Sequence, residues 1–190
     1  MADTDADNGS TFVRAQRYIG ERVTTSLERL DPAAVARAVE MLLKAKQIFV
    51  YGAGRSGIIG RAFAMRLVQA GLRAYVIGES VTPIVARGDA VFILSGQGES
   101  YSSISTANIV RREGAELIVL TSKPNSKIAH TATHLLVVEF DEDADRPRYA
   151  PLGTLFEAAG LRLTDGLIAE LLRVRGETEA SMRRRHAIMV

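Results

Sequence analysis

The feature that most constrains this chain is a repeated change of hydrophobic period. Short apolar runs, Ile48-Phe49-Val50-Tyr51, Ala74-Tyr75-Val76-Ile77, Ala90-Val91-Phe92-Ile93-Leu94, Glu116-Leu117-Ile118-Val119-Leu120 and His134-Leu135-Leu136-Val137-Val138, interleave with segments whose apolar residues recur at helical spacing. Runs of this length, bounded by glycine or serine, read as strands buried on both faces. Such strands, joined by helical crossovers, build a parallel sheet between two helical layers, with ligands bound outside the carboxyl ends of the strands. The expected fold is therefore α/β: a three-layer αβα sandwich around a five-stranded parallel sheet of flavodoxin-like kind. Extra helices are expected at both ends. Residues 11–30 carry Phe12, Tyr18, Ile19, Val23 and Leu27 at helical spacing, and a second helix follows Asp31-Pro32, where Asp can cap and Pro can open the first turn. Residues 151–174 and 177–186 read as two closing helices.

The 190 residues suit one domain over residues 11–190, behind an acidic, polar tail at residues 1–10 that lacks the pattern of a secretory signal. With 47% hydrophobic side chains and a formal charge of +2, the chain has enough apolar surface for a core and too little net charge to stay open. The absence of cysteine excludes disulfides, thiolate nucleophiles and Cys-ligated metals, and suits a reducing cytoplasm. The longest apolar runs are far shorter than the roughly 20 residues of a membrane helix. No basic–aromatic interleaving of the kind used for nucleic acid is present. The run Asp141-Glu142-Asp143-Ala144-Asp145 lacks the spaced ligands of a calcium loop and reads as a solvated surface loop, so no metal is expected there.

Two glycine-rich loops carry the chemistry. Gly52-Ala53-Gly54-Arg55-Ser56-Gly57 is formally G-x-G-x-x-G between a strand and a helix, with Glu79 near the end of the next strand, which keeps a dinucleotide-binding reading open. Against that reading, no second domain or hydride-transfer constellation is present. The second loop, Ser95-Gly96-Gln97-Gly98-Glu99-Ser100, follows another strand and opens another helix. Two neighbouring strand ends, each offering glycine amides and hydroxyls, suit the dianion of a phosphorylated sugar, with Arg55 within reach of the sugar oxygens. Gly54, Arg55, Ser56, Ser95, Gly96, Gln97, Gly98, Glu99 and Ser100 are thus the candidate binding residues.

This pair of loops resembles the sugar isomerase (SIS) domain of phosphosugar-binding proteins over nearly the whole chain. Within that superfamily, Gly54-Arg55-Ser56-Gly57, Gly78-Glu79-Ser80-Val81-Thr82-Pro83, Pro151-Leu152-Gly153-Thr154-Leu155-Phe156-Glu157 and the closing Arg183-Arg184-Arg185-His186-Ala187 are similar to the 6-phospho-3-hexuloisomerase family. The family usually has serine where this chain has Gln97. The glutamine amide can still bond a phosphate oxygen, but its length narrows the pocket.

The resemblance implies interconversion of D-arabino-3-hexulose 6-phosphate and fructose 6-phosphate, a step of formaldehyde assimilation by the ribulose monophosphate route, with neither cofactor nor metal. Such a shift needs a carbon base, donors for an enediolate and a group that moves hydroxyl protons. Glu157, early in a closing helix behind Leu155 and Phe156, is the candidate base, and the same position would also suit a capping or salt-bridging glutamate. His186 is the candidate proton shuttle, reaching a neighbouring subunit's site, whereas His130 and His134 flank the last strand as packing or surface residues. The arginines around His186 would pair across subunits and draw a phosphate to the site's mouth. The apolar surface of the terminal helices suggests a homo-oligomer, a tetramer or dimer with sites at subunit boundaries. The alternatives are another phosphosugar isomerase of the superfamily, such as one for arabinose 5-phosphate, or a non-catalytic phosphosugar sensor.

Overall fold

The computed structural model describes residues 10–188. The expected tail lies outside the described residues except for Ser10, whose hydroxyl accepts from the Val13 amide and caps the first helix. The chain runs α1 (Thr11–Glu28), α2 (Pro32–Lys44), β1 (Ile48–Gly52), α3 (Arg55–Gln69), β2 (Ala74–Val76), β3 (Ala90–Leu94), α4 (Tyr101–Arg112), β4 (Glu116–Thr121), α5 (Lys127–Thr131), β5 (His134–Val137), α6 (Arg146–Tyr149), α7 (Thr154–Arg175) and α8 (Glu179–Arg184). Asp31 caps α2, accepting from Ala33 N at 2.8 Å, and Pro32 occupies its first turn.

All four strand pairings are parallel and the order is β2-β1-β3-β4-β5, as in flavodoxin-like sheets. Alternate residues of each strand serve opposite faces. Ile48, Val50, Phe92, Leu94, Ile118 and Leu120 pack under α2, α3 and α7, whereas Phe49, Val91, Ile93, Leu117 and Val119 meet α4 and α5. Phe63 of α3 meets Phe92 edge-on, with ring centroids 5.0 Å apart. Residues 77–89 cross from β2 to β3 without a helix.

Two expectations need correction. The acidic run is more than a solvated loop: Asp143 accepts from the Tyr18 hydroxyl at 2.9 Å and pairs with Arg22, and Asp141 pairs with Arg29, so the segment is fastened to α1. It also leads into α6, which the sequence pattern does not announce. The C-terminal helix is shorter than read and leaves His186 beyond its end.

α8 is held by ion pairs. Arg185 grips Glu177 with both guanidinium nitrogens, at 2.8 and 3.0 Å, and donates to Gln69 O at 3.2 Å, docking α8 on the end of α3. The Arg185 guanidinium, followed by the Ser181 hydroxyl, lowers the Glu177 pKa from 4.5 to about 2. A carboxylate with a depressed folded pKa stabilises the fold above its unfolded pKa and loses that contribution as pH falls toward the folded value. Glu177→Gln is therefore expected to weaken amide protection in α8 at neutral pH, and the gap from wild type should close between pH 4.5 and pH 2. Hydrogen exchange read by mass spectrometry checks this, and a gap that is independent of pH contradicts it.

Candidate active site

The loops after β1 and β3 diverge because α3 and α4 lie on opposite faces of the sheet, and the crevice between them is where a parallel sheet of this order binds ligands. The first loop is set by close approach. A Cβ on Gly57 would lie 2.4 Å from Gly52 O, and one on Gly52 would lie 2.8 Å from Gly57 N. Gly54 turns the chain at φ +57°. Arg55 then starts α3, and Ser56 faces the crevice.

The second loop is tied down by β4. Gly96 O accepts from Ser122 N at 3.0 Å, Ser122 Oγ at 2.7 Å and Thr121 Oγ1 at 3.2 Å. Ser95 is buried, its amide bonded to Leu120 O. Gly98 sits at φ +68° over Ser126, and Ser100 stands at the start of α4 with its hydroxyl 3.0 Å from Ser102 Oγ. The first amides of α4 have no acceptor within the helix and suit an anion in this loop.

The crevice encloses about 330 Å³ and is lined by Ser56, Gly96, Gln97 and Ser122 together with Phe140, Arg146, Leu152 and Phe156. Glu157, in the first turn of α7, lines it with a carboxylate that is only 13% exposed. Its Oε2 lies 2.5 Å from Arg55 Nε, an ion pair without hydrogen-bond alignment, and no hydrogen bond reaches that buried oxygen. Two glycines admit the carboxylate to this position. A Cβ on Gly153 would lie 2.7 Å from Glu157 Oε1, and one on Gly96 would lie 2.9 Å from the Phe156 ring. The larger depression, about 610 Å³ between α1, α2 and α7, is lined mainly by apolar residues such as Leu27, Val35 and Leu167 and lies away from the strand ends.

Of the residues singled out from the sequence, Ser56, Gly96, Gln97 and Glu157 line the crevice, with Arg55 joined to it through Glu157. Glu99 is engaged elsewhere: it accepts from Lys127 N at 3.2 Å and pairs with Lys127 Nζ at 3.1 Å, contacts that hold its carboxyl below the ordinary range. His186 does not reach the crevice of its own chain. It follows Arg185, which docks at the far end of α3, about 20 Å along that helix from Arg55. Arg183 and Arg185 there pair with Glu179 and Glu177 of the same chain. His134 donates to Ala34 O at 2.7 Å as a packing residue, and His130 is exposed. The sequence reading missed Ser122, Phe140 and Arg146. Ser122 directly follows a strand, which is a usable signal, whereas Phe140 and Arg146 arrive only through tertiary folding.

The SIS domain matches residues 41–154, more than half of the chain. The chain belongs to the SIS domain family. It is 33% identical to the 3-hexulose-6-phosphate isomerase of Methylomonas aminofaciens over 175 residues, 90% of this chain and 96% of that protein. It is 37% identical to the Bacillus subtilis protein of the same name over 150 residues, 77% of this chain and 81% of its relative. The solved structure of a Methanococcus jannaschii protein, from which a function as 3-hexulose-6-phosphate isomerase has been inferred, superposes with a TM-score of 0.85 at 26% identity, covering 93% of this chain and 99% of the other. Of the first G-x-G-x-x-G loop, Ser56 lines the crevice.

Gly98 and Gly20 differ sharply in what a side chain would meet. Gly98→Ala would place a Cβ 2.0 Å from Ser126 Oγ at φ +68°, whereas Gly20 in α1 has open space around it. Gly98→Ala is expected to destabilise the fold by at least the ~1–2 kcal/mol of a left-handed L-residue. Gly20→Ala is expected to stabilise it by about 0.5–1 kcal/mol. Urea denaturation of the two variants checks the contrast.

Proposed function

We propose that this protein is an isomerase that interconverts D-arabino-3-hexulose 6-phosphate and fructose 6-phosphate through a 2,3-enediolate, acting in formaldehyde assimilation. The observation that carries this reading is the shielded Glu157 carboxylate, which lines a crevice large enough for a phosphosugar together with Ser56, Gly96 and Gln97 of the two glycine- and serine-rich loops. The names of the relatives at 33% and 37% identity support the same reaction.

In this reading the phosphate rests on the loop of residues 95–100 at the start of α4. Glu157 takes the proton from C2 of the 3-ketose, and the electron pair forms the C2–C3 enediolate as the C3 carbonyl becomes an oxyanion. Return of a proton to C3, with a proton moved between the two oxygens, leaves the carbonyl at C2. The Ser56 hydroxyl and the amides of the loops are the donors for the oxyanion. The Arg55 ion pair holds the Glu157 carboxylate in place for the substrate. His186 serves as the proton shuttle in the site of a neighbouring subunit, within a homo-oligomer of two or four chains.

Proton NMR of fructose 6-phosphate with the enzyme in D₂O tests the reading. Deuterium is expected at C3, and incorporation at C1 alone, or none, overturns the assignment. An exchange at C1 would fit the alternative of an aldose–ketose isomerase in which the carbonyl moves between C1 and C2. Glu157→Gln should slow the C3 exchange by about 10²–10⁴-fold. His186→Gln should lose turnover while retaining phosphosugar binding, and unchanged turnover removes it from the mechanism.

A further inference from the structure

Among the described residues, Arg55 and Arg146 stand at the crevice, and they are not equivalent. Arg55 is 71% exposed and is engaged with Glu157. Arg146 lines the cavity itself, with a side chain 21% exposed. A phosphorylated sugar brings up to two negative charges into a space that already holds the Glu157 carboxylate. Arg55 offsets that carboxylate, which leaves Arg146 as the cation lining the crevice that is available to the phosphate, with Lys123 outside that lining in a neighbouring depression beside Gln97.

We propose that Arg146 is a substrate-binding residue that closes on the phosphate in the crevice it lines together with Gly96 and Gln97. The inference rests on the phosphosugar reading of the crevice. Its backbone is fixed while its head group is free to change partners. Arg146 N donates to Asp143 Oδ1 at 2.9 Å, and Asp143 is fastened to Tyr18 and Arg22 of α1. The guanidinium pairs through Nη1 with Glu142 and through Nη2 approaches Leu152 O at 3.5 Å. Glu142 is 71% exposed, and an ion pair in that setting contributes little and is readily exchanged. Leu152 O is a weak acceptor at that distance, presented by a non-glycine residue at φ +56°. A phosphate dianion offers the planar guanidinium two oxygens at once, a better match than either present partner.

Titration calorimetry with fructose 6-phosphate, together with steady-state kinetics, tests this in wild type, Arg146→Met, Arg146→Lys and Glu142→Gln. Arg146→Met is expected to raise Kd and KM by about 10–100-fold, the loss of a charged hydrogen-bond pair, with a smaller change in kcat. Arg146→Lys should recover part of the affinity. Glu142→Gln removes the resting ion pair and keeps the cation, so it should bind as tightly as wild type or more tightly. If Arg146 only braced α6, Glu142→Gln would weaken binding as Arg146→Met does, and that result overturns the proposal. Equal affinity in wild type and Arg146→Met overturns it alone. Absence of fructose 6-phosphate binding by wild type overturns the phosphosugar reading, and the role of Arg146 with it.

Discussion

Parallel pairing of β1 with β3 is the constraint from which the rest of this molecule follows. Each strand must be left by a crossover, and the two crossovers depart to opposite faces, α3 under one and α4 under the other. Their loops therefore separate at the carboxyl edge of the sheet and leave a crevice that no strand can fill. The amino ends of two helices open toward it, so the backbone itself favours an anion there before any side chain is considered. Glycine occupies the contact points because backbone meets backbone, as between Gly52 and Gly57, at distances no Cβ would allow.

α7 supplies what the loops lack. It packs along the same face as α3, and its first turn enters the crevice at a point where Gly96 has no Cβ to collide with Phe156 and Gly153 has none to collide with Glu157. A carboxylate placed this way is screened from water on most sides, and the Arg55 ion pair balances its charge. Phe140, Arg146, Leu152 and Gly153 complete the lining from a segment that Asp141 and Asp143 fasten to α1. The N-terminal helix thus shapes the site without touching it.

The sheet and its crossovers were legible because they depend on local pattern: short apolar strands of three to six residues, fully buried in β3 and nearly so in β4, helices with a clear apolar face, and a cap such as Asp31 followed by Pro32. The two loops were legible as well, since glycine and serine at a strand end have a backbone reason to be there. The direction of individual side chains was not. Glu99 belongs to the same loop as Gln97, yet it turns to the first turn of α5, a contact 28 residues away in the chain. Asp143 reads as one of several surface acids until α1, 125 residues distant, is folded against it. Arg146 and the left-handed Leu152 depend on that same tertiary arrangement, and local periodicity carries no trace of it.

The distance between Glu157 and His186 bears on assembly. α7 starts at the crevice and ends at the opposite edge of the sheet, where Gly176 turns the chain and α8 docks on the end of α3. The Glu177–Arg185 clamp and the Arg185 bond to Gln69 O hold His186 at that edge. No rotation of one imidazole spans the length of α3. If Glu157 and His186 act on the same sugar, as proposed, His186 comes from a second copy of the chain, and assembly is then a requirement of the chemistry.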